Sequence, residues 1–583
     1  MSRGAFDLSF RAMPSRFGSL AVFFLAVPPA ALVLGCSCGR SVPDDAAVPD
    51  APMADVARVD AADAGPDAPA AECLAGLTYC RAGSVLVCGE DGAIVSETPC
   101  ETGTICSAGA CVSPCEAASA ASSYEGCRFR STAVPTIVVG HGGLRIPELG
   151  YGFHNPGTTD AVATIRGGPD ALSRSVTVPA QGSVFVTVPL IQGLFDRPAY
   201  GVSPTVLGRD TASYAIESSA PIVAYEFSPE YALLADSRFL MKADATVLLP
   251  EHAWGTEYLA VTMPPLCARA PCHPEEMTFL QVIAGTDGTA VTVVPAAPIE
   301  ASVEGIVTST TVTETPVAAI DAGASMRFEL DAGDVLQLAS AGDLTGTKVV
   351  ASEPVQVLSG NVGIRFPGSW TIVGDGHAHD AMLPLRAWGS TYVVAPPPHP
   401  TRAEPLTFSA RFVAGDAPVM VTFDPPVRAP LSLPARGRAD LSGLTEAFVA
   451  EGSAPFLAVA LSTPSDVPTG DELGQPIGAA SMVAFPPLEQ WRGEYAFSVP
   501  PEFDHAHVTM IHPSGASVTL DGAPVTGSAP IGSTGWSFVS VPLDRSTASH
   551  VATGTAGFGL LVYGQAPGTS YWYAAGLDLE ELF

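Results

Sequence analysis

A short phrase that returns along the chain constrains the fold more than any other feature. In each copy an apolar residue and a proline precede a Trp, and a Tyr follows four residues after that Trp, at 248–258, 382–392 and, with one residue inserted, 485–495. A second phrase, Ser-x-Pro followed by apolar residues, lies at 219–225, 352–358 and 453–459, and a looser copy lies at 556–562. The spacing of the two phrases matches from copy to copy. The chain therefore contains four copies of one unit of about 100 residues.

Turn residues and short β-prone runs determine the expected fold class. The chain holds 57 Gly and 54 Pro, and signals such as Asp287-Gly288 separate runs rich in Val and Thr. We predict an all-β protein of tandem antiparallel β-sandwich-like units, four imperfect repeats behind a small disulfide-rich module and a disordered tether. An open string of sandwiches is favoured over a closed, propeller-like ring, because each unit is too long for one four-stranded blade. The recurring Trp and Tyr are interpreted as packing residues.

The domain boundaries follow from the repeats and from shifts in composition. They are a lipoprotein signal peptide at 1–35, an acidic Ala/Pro/Asp-rich tether at 36–72, a Cys-rich disulfide module at 73–127, and four β-repeats at 128–243, 244–378 with an insertion at 296–322, 379–481 and 482–583.

The N-terminus has the pattern of an export signal. Basic residues precede an apolar run at 20–34, which is short for a membrane span. The run closes on Val33-Leu34-Gly35-Cys36, which resembles a bacterial lipobox, so Cys36 is the predicted lipidation site. An ordinary signal peptide is the alternative. Ser37 after the Cys favours, by resemblance to Gram-negative lipoproteins, a lipid-anchored place in the bacterial cell envelope at the outer membrane, with the lipid as the only membrane contact.

Eight closely spaced cysteines predict a disulfide framework. In a secreted chain an even number of Cys in a short stretch indicates bridges, and zinc is a weaker alternative because paired Cys-x-x-Cys knuckles are missing. A further pair downstream is expected to bridge one loop. The candidates are Cys73, Cys80, Cys88, Cys100, Cys106, Cys111, Cys115, Cys127, Cys267 and Cys272.

Charge and motifs narrow the function. The formal net charge of -32 excludes a general affinity for nucleic acid. No common catalytic motif is present, so no catalytic residue, metal or cofactor is assigned and a non-enzyme is predicted. Two His pairs remain as weak metal candidates, because His residues two apart on a strand face the same side. They are His377 and His379 with Asp380, and His505 and His507 with Asp504.

The phrases at 244–258 and 359–392 and the C-terminal run at 558–576 resemble the IgGFc-binding protein N-terminal domain family. That family includes bacterial surface lipoproteins with a Cys-rich segment ahead of the domain. The resemblance covers 128–583 and implies a non-catalytic binding or adhesion protein at the cell surface, with a protein or glycan ligand. The alternative is a secreted or surface hydrolase acting on polysaccharide or protein, in which carboxylates and His residues converge in one pocket.

Overall fold

The computed structural model describes residues 76–90, 93–136, 148–198, 201–228, 242–265, 272–303, 312–364, 376–467, 476–544 and 549–582. They belong to one compact unit that begins at Glu72. The fold is almost entirely antiparallel β-structure, as predicted. Cys36, the tether, Cys73 and Cys267 lie outside the described residues. In the described ranges no helix combines the length and the apolar character needed to cross a membrane.

The cysteine module is a small β-structure with one helix. Its elements are β1 (Thr78–Arg81), β2 (Ser84–Cys88), β3 (Ile94–Pro99), β4 (Ile105–Ser107), β5 (Ala110–Val112) and α1 (Pro114–Ala120). Ser113 caps α1 through a reciprocal capping box with Glu116. Three bridges lie within the module, Cys80–Cys106, Cys100–Cys111 and Cys115–Cys127. Cys88 and Cys272 are also disulfide-bonded.

The first unit contains β6 to β13. These strands are β6 (Gly126–Ser131), β7 (Glu148–Asn155), β8 (Ala161–Gly167), β9 (Leu172–Val178), β10 (Gly182–Pro189), β11 (Val206–Arg209), β12 (Tyr214–Ser228) and β13 (Asp244–Leu248). Seven of them form one curled sheet, whereas β11 joins the sheet of the second unit. The sheet ends with β13, which the repeat boundaries assign to the second unit.

The second unit adds eight strands to β11 and forms a nine-stranded sheet. They are β14 (Gly255–Leu259), β15 (Thr278–Ala284), β16 (Thr289–Val294), β17 (Thr313–Thr315), β18 (Met326–Leu330), β19 (Val335–Ser340), β20 (Lys348–Ile364) and β21 (Gly376–Ala381). Strand β17 lies in the insertion predicted at 296–322 and pairs with β11. The insertion therefore helps to join the first unit to the second.

The third and fourth units repeat this plan. The third has two four-stranded sheets from β22 (Thr391–Val394), β23 (Phe408–Ala414), β24 (Val419–Asp424), β25 (Leu431–Leu433), β26 (Arg438–Leu444), β27 (Phe448–Gly452), β28 (Phe456–Ser462) and β29 (Met482–Ala484). The fourth has eight strands, β30 (Arg492–Ser498), β31 (His505–Pro513), β32 (Val518–Leu520), β33 (Ala523–Pro524), β34 (Ala529–Pro530), β35 (Trp536–Pro542), β36 (Ser549–Ala566) and β37 (Thr569–Ala574).

The second repeated phrase marks the middle of a long strand. Strands β12, β20 and β36 pair with one set of partners before the phrase and with another set after it. In the third unit the same path is interrupted into β27 and β28. A strand that leaves one half-sheet and enters the other makes each unit a sandwich. The expected sandwich-like units are therefore present.

The four units close into a ring, in place of the favoured open string. The last strand of each unit, β13, β21, β29 or β37, lies at the centre, and these strands pack against one another in a cycle. The C-terminal segment completes the circle beside the start of the first unit. Tyr124 N–H donates to Leu577 O at 3.3 Å, and Leu579 N–H donates to Ser122 O at 3.0 Å.

Contacts between consecutive repeated phrases fix the spacing of this ring. A Cβ built on Gly255 would lie 2.5 Å from Pro384, and one built on Gly389 would lie 2.4 Å from Pro487. Only a residue without a side chain permits this approach. Pro250, Pro384 and Pro487 each precede a short 3₁₀ turn that leads to the Trp. Pro487 thus holds the repeated position, and the third copy has no insertion at this point.

Candidate binding site

The recurring Trp and Tyr stabilise the fold. The indole N–H of Trp254 donates to Leu249 O at 2.9 Å, and that of Trp388 donates to Leu383 O at 3.1 Å. Both side chains are buried. Trp491 makes the corresponding bond to Pro486 O at 3.3 Å. The phrase therefore satisfies its own polar atoms inside the protein and does not form an exposed aromatic face.

The Tyr of each phrase binds the second phrase of the same unit. Tyr392 Oη donates to Phe456 O at 2.6 Å and accepts from Gly389 N–H at 3.3 Å. Tyr258 makes equivalent bonds to Val355 and Gly255. Burial raises the pKa of Tyr392 far above its usual value. The two phrases keep the same spacing because they contact each other.

The first weak metal candidate lies at the centre of the ring. His377 and His379 are fully buried, with 3.1 Å between His377 Nε2 and His379 Nδ1. Burial lowers the pKa of His377 to about 4 and that of His379 well below 6.5, so both are neutral. The Asp380 carboxylate instead accepts from Ala381 N–H at 2.8 Å and Ala484 N–H at 2.7 Å. Within the described chain no group of three His, Cys, Asp or Glu is placed to hold a metal.

Asp244 contacts all four central strands of the ring, and no sequence pattern marked it as a candidate. Its Oδ1 accepts from Ala245 N–H at 3.0 Å and Trp572 N–H at 3.1 Å. Its Oδ2 accepts from His379 N–H at 3.2 Å and Met482 N–H at 3.0 Å. Each of the four central strands thus donates one main-chain N–H to a single buried carboxyl. Burial raises its pKa well above 3.8, against the effect of the four donors.

A cleft between the third and fourth units is the candidate binding site. Its volume is about 530 Å³, which is within the usual range for ligand pockets. One wall is the loop after β22 and the other is the outer side of the fourth unit. The described lining residues are Pro396, Pro398, His399, Pro400, Thr401, Arg402, Ala403, Pro405, His507, Gly527, Ala529, Phe538, Val539, Ser540 and Pro542.

The polar groups of the cleft are organised around His399. Its Nδ1 accepts from Thr401 N–H at 3.2 Å, so Nε2 carries the proton and donates to Asp466 at 3.3 Å. This hydrogen bond lowers the pKa of Asp466. Arg402 also pairs with Asp466, at 3.0 Å, through one guanidinium nitrogen. The loop wall therefore presents an oriented imidazole and a partly free guanidinium.

His507, from the second His pair, also lines the cleft. Burial, reinforced by the neighbouring His505 and His399, lowers the pKa of His507 to about 4. Its Nδ1 is buried and has no hydrogen-bond partner among the described residues. The sequence pattern thus identified one residue of this cleft, whereas His399 and Arg402 were missed. A run of four prolines around His399 in 396–400 was the available signal.

The fold and the cleft together define a closed ring of four related all-β units with an accessible pocket at one junction. The family model described as IgGFc binding protein matches residues 244–564, more than half of the chain. The chain belongs to this family, which confirms the resemblance drawn from its repeated phrases.

Comparisons with two individual proteins show how much of each chain is covered. The human (Homo sapiens) IgGFc-binding protein is 28% identical over 344 residues, which cover 57% of this chain and 6% of that protein. The chain therefore spans only a small part of that relative. A solved structure of a tetra-tandem repeat in the extending region of a large adhesion protein covers 72% of this chain and 92% of its own, at 11% identity and a TM-score of 0.06. A TM-score this low gives no support for a shared fold.

Proposed function

We propose that this chain is a non-catalytic binding protein that acts outside the cell, as an adhesion or ligand-capture protein on a cell surface. The observation that carries the proposal is membership of the IgGFc binding protein family. Its human relative is named as a binding protein. The disulfides of the cysteine module support an oxidising, extracytoplasmic location.

The anchoring part of the proposal rests on the N-terminal sequence. Acylation of Cys36 would attach the chain to the bacterial outer membrane, and the tether at 36–72 would hold the β-units away from the lipid. Replacement of Cys36 by Ala tests this. Metabolic labelling with a lipid precursor should leave the Cys36→Ala variant unlabelled, and membrane fractionation should find none of the variant in the membrane fraction. Retention of both the label and the membrane location would overturn the lipid anchor.

Ligand capture is tested with the full chain. The purified protein is immobilised and exposed separately to self envelope polysaccharide, to host surface proteins and to immunoglobulin Fc, the last because of the relative's name. A saturable partner supports the proposal. Denatured protein serves as the control for nonspecific capture. If no analyte binds while a polymer is shortened during incubation, the binding proposal fails.

The hydrolase alternative has one observation in its favour, since His507 and His399 both line the cleft and His399 contacts the Asp466 carboxylate. His399 however uses its lone pair on Nδ1 to accept the Thr401 N–H and its only proton on Nε2 for Asp466. A general base needs a free lone pair directed at the substrate. Ser540 is likewise engaged, 2.8 Å from Thr509 Oγ1. Both His399 and Ser540 therefore already have hydrogen-bond partners inside the protein, which supports binding over catalysis by these two residues.

A further inference from the structure

The cleft is lined by part of β35, and among the described residues this part of the strand has one open edge. Strand β34 pairs with β35 only at Ala529–Phe538 and Pro530–Ser537. From Val539 to Pro542 the described residues place a strand beside β35 on one side alone, that of β31. Val539, Ser540 and Pro542 line the cleft. An open strand edge is a template for pairing with another extended chain.

The direction of the main-chain groups on this edge follows from the ladder. Trp536 O accepts from Ile531 N–H at 2.8 Å, so Trp536 directs its main chain toward the β34 side. Residues two apart on a strand direct their groups to the same side. Ser540 therefore presents its N–H and C=O to the cleft. Its Oγ lies 2.8 Å from Thr509 Oγ1, which fits the close, non-hydrogen-bonded pairing expected with β31.

The charges around this edge favour an acidic partner. Of the described residues that line the cleft, none is Asp or Glu, whereas Arg402 and two His belong to it. Arg402 is about half exposed, and among the residues that the structure describes its ion-pair partner is the largely exposed Asp466. The chain as a whole has a net charge of -32, so a surface that carries an Arg and no lining carboxylate differs from the rest of the protein. A carboxylate beside Arg402 would gain a charge-assisted hydrogen bond.

The size and the walls of the cleft limit the length of the ligand. The open edge runs over four residues, from Val539 to Pro542, and Pro542 ends it because proline lacks an N–H. A volume of about 530 Å³ matches a segment of that length. Proline rings and Phe538 supply apolar contacts on both sides. These are the features of peptide binding by strand addition, in which the main chain provides affinity and the side-chain positions provide selectivity.

We propose that this cleft binds an extended acidic segment of a partner protein, which pairs with the edge of β35 at Ser540 and places a carboxylate against Arg402. The inference rests on the proposed binding function and specifies where and how a protein ligand is held.

The test uses the full chain and a fluorescein-labelled acetyl-Thr-Val-Asp-Val-Thr-amide peptide, with the Asp→Asn peptide as its neutral match. Fluorescence anisotropy should show tighter binding of the acidic peptide.

Ser540→Pro should weaken binding roughly tenfold or more, because it removes the outward N–H and leaves the ladder with β31 intact. Arg402→Ala should weaken the acidic peptide about fivefold to tenfold and leave the neutral peptide unchanged. Arg327→Ala, an exposed Arg paired with Glu329, is the matched control and should bind as the original chain does.

Each other outcome overturns a defined part of the inference. Equal binding of the two peptides removes the role of charge, and unchanged binding by both variants places the site elsewhere. Direct binding of labelled glucuronate without peptide binding makes the ligand a glycan. If the peptide does not bind but the chain self-associates, and Ser540→Pro abolishes that self-association, the ligand is a second copy of this chain. If the Arg402 and Ser540 variants still capture a cell-surface ligand at full strength, the cleft fails while the general binding function stands.

Discussion

Trp572 donates its main-chain N–H to Asp244 Oδ1 at 3.1 Å across 328 residues of sequence. The same carboxyl group accepts N–H groups from the second and third units as well as from its own. One buried side chain thereby joins the last strands of all four units. The bond to Trp572 closes the circle, since it links the first unit to the fourth.

Asp244→Asn should destabilise the whole ring. The new amide group would place a donor against two main-chain donors, so at least one N–H would be buried without an acceptor. A buried main-chain N–H that is left without an acceptor costs about 1–3 kcal/mol. The free energy of unfolding, from chemical denaturation, should fall by that order. Asp321→Asn, at an exposed position, should leave the midpoint unchanged, and an equal effect of both variants would contradict the axial role.

Asp380 should make the stability of the ring depend on pH. Burial raises its pKa from 3.8 to about 7, so folding favours the protonated carboxyl. That contribution is fully present below pH 3.8 and is lost as the pH rises through 7. In Asp380→Asn this titration is removed. From about pH 4.5 to 8 the free energy of unfolding of the original chain should therefore fall relative to that of the variant, by about 2–4 kcal/mol. Parallel pH profiles would show that Asp380 stays ionised throughout.

The contact between Gly255 and Pro384 predicts the effect of one methyl group. Gly255→Ala would place a Cβ 2.5 Å from the Pro384 ring, and relief requires a shift between two units of the ring. Overpacking of this kind costs about 1–3 kcal/mol. Gly493→Ala is the matched control, because its Cβ would meet no atom within 4 Å. Thermal unfolding should separate the two variants, and similar midpoints would mean that the junction yields without cost.

Much of the architecture was predictable because each unit must satisfy the same local requirements. The repeated phrases specify the number of units, and turn residues with β-prone runs specify the class. The spacing of the phrases also has a direct cause, since Tyr258 bonds to the carbonyl of Val355, one residue after the second phrase's proline. These signals are local in sequence and could be recognised without coordinates.

The ring and the cleft were not predictable in the same way. Closure depends on Asp244, whose three partners outside its own strand are main-chain N–H groups that carry no sequence signature. The sequence also gives no sign that β11 joins the sheet of the second unit, because Val206–Arg209 resembles any short strand. The cleft depends on which unit lies beside Arg402, and that follows only from the ring. His507 was found through a pattern that was interpreted as a possible metal pair.

Tyr392→Phe separates stability from binding. The change removes a hydroxyl that donates to Phe456 O and accepts from Gly389 N–H, so two buried main-chain groups lose their partner. The free energy of unfolding should fall by about 2 kcal/mol. Below the unfolding transition, capture of a cell-surface ligand should be unchanged, because the hydroxyl faces the interior. Tyr79→Phe, in the cysteine module, is the control for the hydroxyl itself. If Tyr392→Phe abolishes capture while its unfolding curve matches that of the original chain, the repeated aromatic phrase contacts ligand after all.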